Sequence, residues 1–184
     1  PKTSRSKEPT ARSMWDVKGD NYASVIQPYN YAEYGEYVAV SNNYSDGVYV
    51  GKVDKDGFIK TTDKIFPPSA VSSIAFLLDG TVIAISTAVA ADVALYSFDK
   101  ATGKIGQKWT VHSNLVFVAG GKPVFSDIPG SSQFILMRYG NSGTGLWALS
   151  VDPVNKVLGQ TRNVSPTVSA GIAKVRASSD GLRV

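Results

Sequence analysis

One pattern recurs along this chain and limits what it can fold into. An apolar run is followed by a polar or small-residue loop, a second apolar run ending in aspartate, a turn, and the start of another run. It appears as EYVAVSNNYSDGVYVGKVDKDGFI (36–59), TVIAISTAVAADVALYSFDKATGKI (81–105) and QFILMRYGNSGTGLWALSVDPVNKVLG (133–159). Asp54, Asp99 and Asp152 hold equivalent places, 45 and 53 residues apart. A further hairpin precedes the unit. SSIAFLLDGTVIAIS (72–86) carries Asp79-Gly80 between two apolar runs, and GIAKVRASSDGLRV (171–184) repeats it around Asp180-Gly181. Asp-Gly at such a place signals a tight hairpin, because both residues accept the positive φ that the turn requires. The unit is therefore four short antiparallel strands. In the second copy they are expected at 73–77, 81–86, 93–99 and 105–112. Helix is not supported: 17 Gly and 9 Pro punctuate the chain at short intervals, and the alanine-rich stretch 88–91 is too short to nucleate one.

Four antiparallel strands in roughly 50 residues is the period of a propeller blade. An ordinary β-sandwich is the alternative for such spacing, but recurrence of one hairpin pattern, aspartate included, favours blades. The expected fold is all-β: an incomplete β-propeller of four-stranded antiparallel blades behind a polar N-terminal arm. The arm spans residues 1–22, and residues 23–184 hold about three blades and the start of a fourth. Closed rings take about four to eight blades, so the polypeptide is expected to continue beyond residue 184, or another chain to complete the ring. An unclosed ring exposes strand edges and apolar faces, so association is expected as well.

The residues also carry a family resemblance. ALYSFDKATGKIGQKW (94–109) resembles the outer hairpin of blades in the lactonase-like, YVTN-type and WD-type propeller superfamily. AFLLDGTVIAIS (75–86) and AKVRASSDGLRV (173–184) resemble the inner hairpin. The match departs from the pattern in places. The usual Ser-Pro before Asp-Gly is Leu77-Leu78 in one copy and Ser178-Ser179 in the other, no Trp-Asp dipeptide follows a blade, and the blades differ in length. That irregularity, with the basic arm, is similar in style to divergent propellers of bacteriophage tail and virion proteins.

Several chemistries are excluded by what is missing. There is no cysteine, which removes disulfides and thiolate sites, and the one histidine, His112, cannot build a His-rich metal centre. No metal or cofactor is expected. Asp54-Lys55-Asp56-Gly57 opens like a calcium loop, but the twelfth position is Ile65 instead of a carboxylate, so a backbone turn is the expected role. Gly120-Gly121-Lys122 lacks the spacing of a phosphate loop. The formal charge of +4 is uneven, half of it in residues 1–20, but it lacks the dense basic stripe of a nucleic-acid groove. No run of about 18 apolar residues exists, so no membrane span is expected.

Seven of nine tyrosines fall within residues 22–49. Tyr29, Tyr31 and Tyr34 lie before the first clear strand, in PYNYAEYGEY, and with Trp15 of the arm they are the candidate partner-binding residues. The alternative for the tyrosines is packing onto the first blade. The arm, poor in large apolar side chains, is expected to order only on a partner. No residue maps onto a lactonase catalytic set, and Arg138, in the apolar run FILMR, is the one charge worth inspecting. The favoured function is a non-enzymatic docking or structural module that holds other proteins in a larger assembly, a phage virion or tail, or otherwise in the cytoplasm. The alternatives are a lactonase-like hydrolase and a carbohydrate-binding propeller. Convergent carboxylates, Arg or His on inner strands of several blades would mark the enzyme; the inner runs SSIAFLL and GIAKVRA carry just Lys174 and Arg176, which tilts against catalysis.

Overall fold

The computed structural model of the chain describes residues 15–16, 30–41, 47–68, 70–87, 93–111, 124–128, 131, 134–138 and 146–163. Among them there are fourteen strands and no helix. The first sheet contains β1 (Trp15–Asp16), β2 (Asn30–Tyr34), β3 (Tyr37–Ser41), β4 (Val48–Val53) and β5 (Ile59–Ile65). The second contains β6 (Val71–Leu77), β7 (Val82–Thr87), β8 (Val93–Asp99) and β9 (Lys104–Lys108). The third contains β10 (Thr110–Val111), β11 (Val124–Asp127), β12 (Phe134–Arg138), β13 (Leu146–Asp152) and β14 (Val157–Asn163). Each sheet is a meander of four antiparallel strands in chain order, from an inner strand to an outer one. β1 and β10 each add a two-residue parallel strand to the outer edge of their sheet.

Packing follows from the side-chain period of two along a strand. β7 reads VIAIST and is buried along its whole length, because both faces of the second sheet are covered. Ile83 and Ile85 join Tyr37, Ala39, Val48 and Val50 in a cluster between the first and second sheets. Val82 and Ala84, with Val93 and Leu95, join Leu149, Val151 and Leu158 between the second and third. The inner strands converge: β6 packs against both β2 and β11. Sheets stacked radially around converging inner strands are blades, so the all-β, incomplete-propeller architecture read from the sequence is the one observed.

Three expectations need correction. The run 105–112 is not one strand. β9 stops at Lys108, Trp109 is buried between the second and third blades, and Thr110–Val111 crosses to the edge of β14. Trp109 makes the switch by donating its amide to Leu95 O at 2.8 Å and its indole N–H to Ser97 Oγ at 3.1 Å. Second, Tyr31 and Tyr34 do not precede the first strand. They sit in β2, the inner strand of the first blade. Third, Trp15–Asp16 pairs with Ile59–Lys60 of β5, so this part of the arm is held by the chain's own first blade.

Candidate functional site

The turns that join inner strand to second strand, and third strand to outer strand, lie at one end of the blades. The outer turns are built on the repeated aspartates. Asp54 Oδ1 accepts the amides of Asp56 and Phe58, each at 2.9 Å. Asp99 accepts the Ala101 amide at 2.8 Å and the Thr102 hydroxyl at 2.6 Å. Asp152 accepts the amides of Val154 and Asn155 and the Asn155 side-chain amide. These are Asx turns, in which a short carboxylate replaces the missing backbone acceptor. The hydroxyl of Thr102 holds Asp99 below the usual carboxylate range, with the Ala101 amide adding, and the Asn155 amides do the same for Asp152. A carboxyl lowered in the fold contributes stability above its ordinary value, lost as pH falls through the folded value. Asp99→Asn is expected to leave the melting temperature nearly unchanged at pH 7, because the amide oxygen still accepts, whereas Asp99→Ala lowers it by a few degrees. Equal losses in a thermal melt of both variants would show that charge, and not the turn bond, matters.

Between the inner hairpins of the three blades a second set of groups meets. The turn Leu78-Asp79-Gly80 has three consecutive positive φ values, 52°, 54° and 68°. Leucine there is strained, at a cost of about 1–3 kcal/mol. The strain is held from within by the Thr81 hydroxyl and amide, which donate to Leu78 O. It is held from outside by the next blade, where Asp127, the last residue of β11, accepts the Leu78 amide at 2.7 Å. The amides of Leu78 and Asp79 in this turn both point to one carboxylate, as backbone amides of a turn do in an anion-binding concavity. Here the anion is a side chain of the neighbouring blade.

From the other side the first blade closes in. Tyr34 donates its hydroxyl to Asp79 Oδ1 at 2.5 Å. Lys100 Nζ reaches Asp79 Oδ2 at 3.1 Å and Asp79 O at 2.9 Å, and lies 5.6 Å from the centre of the Tyr34 ring. Tyr34 holds Asp79 below its ordinary value, with Lys100 adding, and the bonds to Asp79 raise Tyr34 and Lys100. Asp127 moves the opposite way. Burial raises it, against the pull of the Leu78 and Asp79 amides, and the charge of Asp79 adds to the rise. An acid raised in the fold binds more protons than the unfolded chain above its ordinary value of 3.8, so stability falls as pH rises through the folded value. Asp127→Asn keeps an acceptor for Leu78 and drops the buried charge. Its melting temperature at pH 7 is expected to equal or exceed that of the unaltered protein, with a flatter profile as pH rises above the ordinary value of 3.8. A steeper profile in the variant would contradict this assignment.

The sequence-derived candidates fall in different places. Tyr34 is in this cluster, and Tyr31 is 68% exposed on β2. For Trp15 only the backbone pairing is described. Tyr29, His112 and residues 171–184 lie outside the described residues. Arg138 ends β12, its backbone paired with Val124 and Leu146, and its side chain is outside the described set. Asp79 was legible only as a turn residue, and Asp127 not at all. The signal for Asp127 was an inner strand, VFSD, too short to stand out. Among the described residues no group of three or more His, Asp or Glu side chains is placed to hold a metal ion, and no helix is long and apolar enough to cross a membrane.

No protein-family model matches the chain, and no curated protein matches it in sequence. Solved structures do match. Sqt1 of Saccharomyces cerevisiae aligns with a TM-score of 0.57 at 9% identity, over 78% of this chain and 36% of that one. The periplasmic gluconolactonase PpgL of Pseudomonas aeruginosa aligns with a TM-score of 0.54 at 14% identity, over 75% of this chain and 39% of that one. A chain of the mitotic checkpoint complex aligns with a TM-score of 0.50 at 17% identity, over 83% of this chain and 42% of that one. The present chain therefore spans about two fifths of the length of these structures. The neighbours are β-propeller proteins, and the class defined by sheets and neighbours together is the β-propeller.

Proposed function

We propose that this chain supplies blades to a lactonase-like propeller that hydrolyses a small polar ester or lactone where its inner hairpins meet. One observation carries the reading. Asp79 and Asp127 arrive from inner hairpins of adjacent blades at the same end, with the Lys100 ammonium on Asp79. Titratable groups brought together from several blades are candidates for acid–base roles, which supports a catalytic propeller over a scaffold. The substrate class is by analogy with the gluconolactonase neighbour, a likeness of fold alone. In the proposed reaction water attacks the lactone carbonyl carbon and the ring C–O bond breaks. Asp127, raised by burial, takes the proton from water and returns one to the departing ring oxygen, the general-base role that such a shift favours. Lys100 offsets the negative charge that develops on the carbonyl oxygen. The test is proton release from a sugar-acid lactone added to the full protein. Hydrolysis is expected, with Asp127→Asn reducing it by about a hundredfold or more while the melting temperature holds. No hydrolysis by the unaltered protein would overturn the reading.

A second reading is a docking module in a larger assembly, a virion or tail included. It is favoured by the turn aspartates being engaged within the chain and by Tyr31, Phe58 and Val154 standing 68%, 47% and 85% exposed. Sqt1 and the checkpoint chain are neighbours of that kind in fold. Co-purification of a stoichiometric protein partner that Tyr31→Ala releases, without lactone hydrolysis, would favour it.

A further inference from the structure

The outer edges of the first and third blades are closed in the same way. Ile59–Lys60, five and six residues after Asp54, face Trp15–Asp16. Val157–Leu158, five and six residues after Asp152, face Thr110–Val111. In each case the covering residues come from the chain upstream of the blade, and Thr110 donates its amide to Lys156 O at 2.9 Å. The equivalent pair in the second blade, five and six residues after Asp99, is Lys104–Ile105, and among the described residues no strand lies on it. The link that could supply one runs from the end of β5 at Ile65 to the start of β6 at Val71 and contains Pro67-Pro68. Two prolines have no amides to donate to a ladder.

A side chain stands there instead. Asp63 of β5 accepts the Ile105 amide through Oδ2 at 2.8 Å. One residue before Ile105, Lys104 Nζ donates to Thr62 O at 2.6 Å. We infer that Asp63 substitutes for the missing edge strand of the second blade, and that this carboxylate is the positioning residue that locks the rim of the first blade to the rim of the second. The physical reason is the cost of an unpaired amide at a strand edge packed against a neighbour. A carboxylate satisfies that amide without the ladder that prolines forbid. It also explains an acidic residue in the middle of an outer strand: as an inward-reaching charge on an edge it keeps foreign strands from pairing there.

Hydrogen exchange in the full protein tests the assignment. In the unaltered protein the Ile105 amide is expected to be protected to a degree comparable with Trp109, whose amide donates to Leu95 O at 2.8 Å. Asp63→Ala is expected to speed exchange at Ile105 by about tenfold or more and leave Trp109 unchanged, and Asp63→Asn, whose oxygen still accepts, to restore most of the protection. Fast exchange at Ile105 in the unaltered protein, readable even if the alanine variant does not fold, would overturn the inference. So would equal protection in Asp63→Ala.

Discussion

Gly103→Val is expected to destabilise the protein by about 2–5 kcal/mol and to lower its melting temperature by about 10 °C. Two effects add. Gly103 has φ +71°, where a β-branched residue is strained. A Cβ there would also lie 2.6 Å from the Tyr37 ring and 2.7 Å from Thr62 Oγ1. Neither neighbour gives way easily. Tyr37 is 5% exposed, packs edge-on against Phe98 at 5.1 Å, and donates its hydroxyl to Lys100 O at 2.9 Å. The outer turn of the second blade needs glycine so that the first blade can bed against it. Gly57→Val is the control, since a Cβ there meets nothing within 4 Å and only the φ of +82° is penalised. Thermal melts of equal midpoint for the two variants would mean that backbone strain alone matters and that the blade contact does not.

Leu95→Ala is expected to cost about 2–5 kcal/mol. Leu95 is fully buried on β8, in the cluster that joins Leu149, Val151 and Leu158 of the third blade to Val82 and Ala84 of the second. Truncation removes buried apolar area and leaves a cavity between two sheets, neither of which can move alone to fill it. Urea unfolding should show one transition at a lower midpoint. A midpoint unchanged within error would show that the second and third blades do not share a core. The contrast with Asp99→Ala is the point of the pair: loss of a turn bond at the surface moves the melting temperature by a few degrees, and loss of a side chain between blades moves it several times further.

The outer hairpins were legible because what makes them is local. Asp54, Asp99 and Asp152 bond to amides two to four residues on, so the residues that specify the turn stand together in the chain. Strands of alternating apolar character between such turns could be read for the same reason, and β6, β7 and β8 fall within two residues of their expected bounds. The inner strands of the first and third blades escaped. NYAEY alternates intermediate and exposed residues instead of burying one face, and VFSD is four residues long. Without an apolar period, a strand at the axis looks like a link.

The sequence by itself determined the unit: four antiparallel strands, turns built on aspartate and glycine, and an all-β chain without thiol chemistry. Tertiary structure decided how the units meet. Tyr34 finds Asp79 across 45 residues, Asp127 finds Leu78 across 49, and Asp63 finds Ile105 across 42. Asp79 reads in the sequence only as a turn residue, and Asp127 and Asp63 as ordinary surface charges. Their roles depend on which hydroxyl or amide the neighbouring blade presents, and that is settled only when inner strands converge and whole sheets stack face to face.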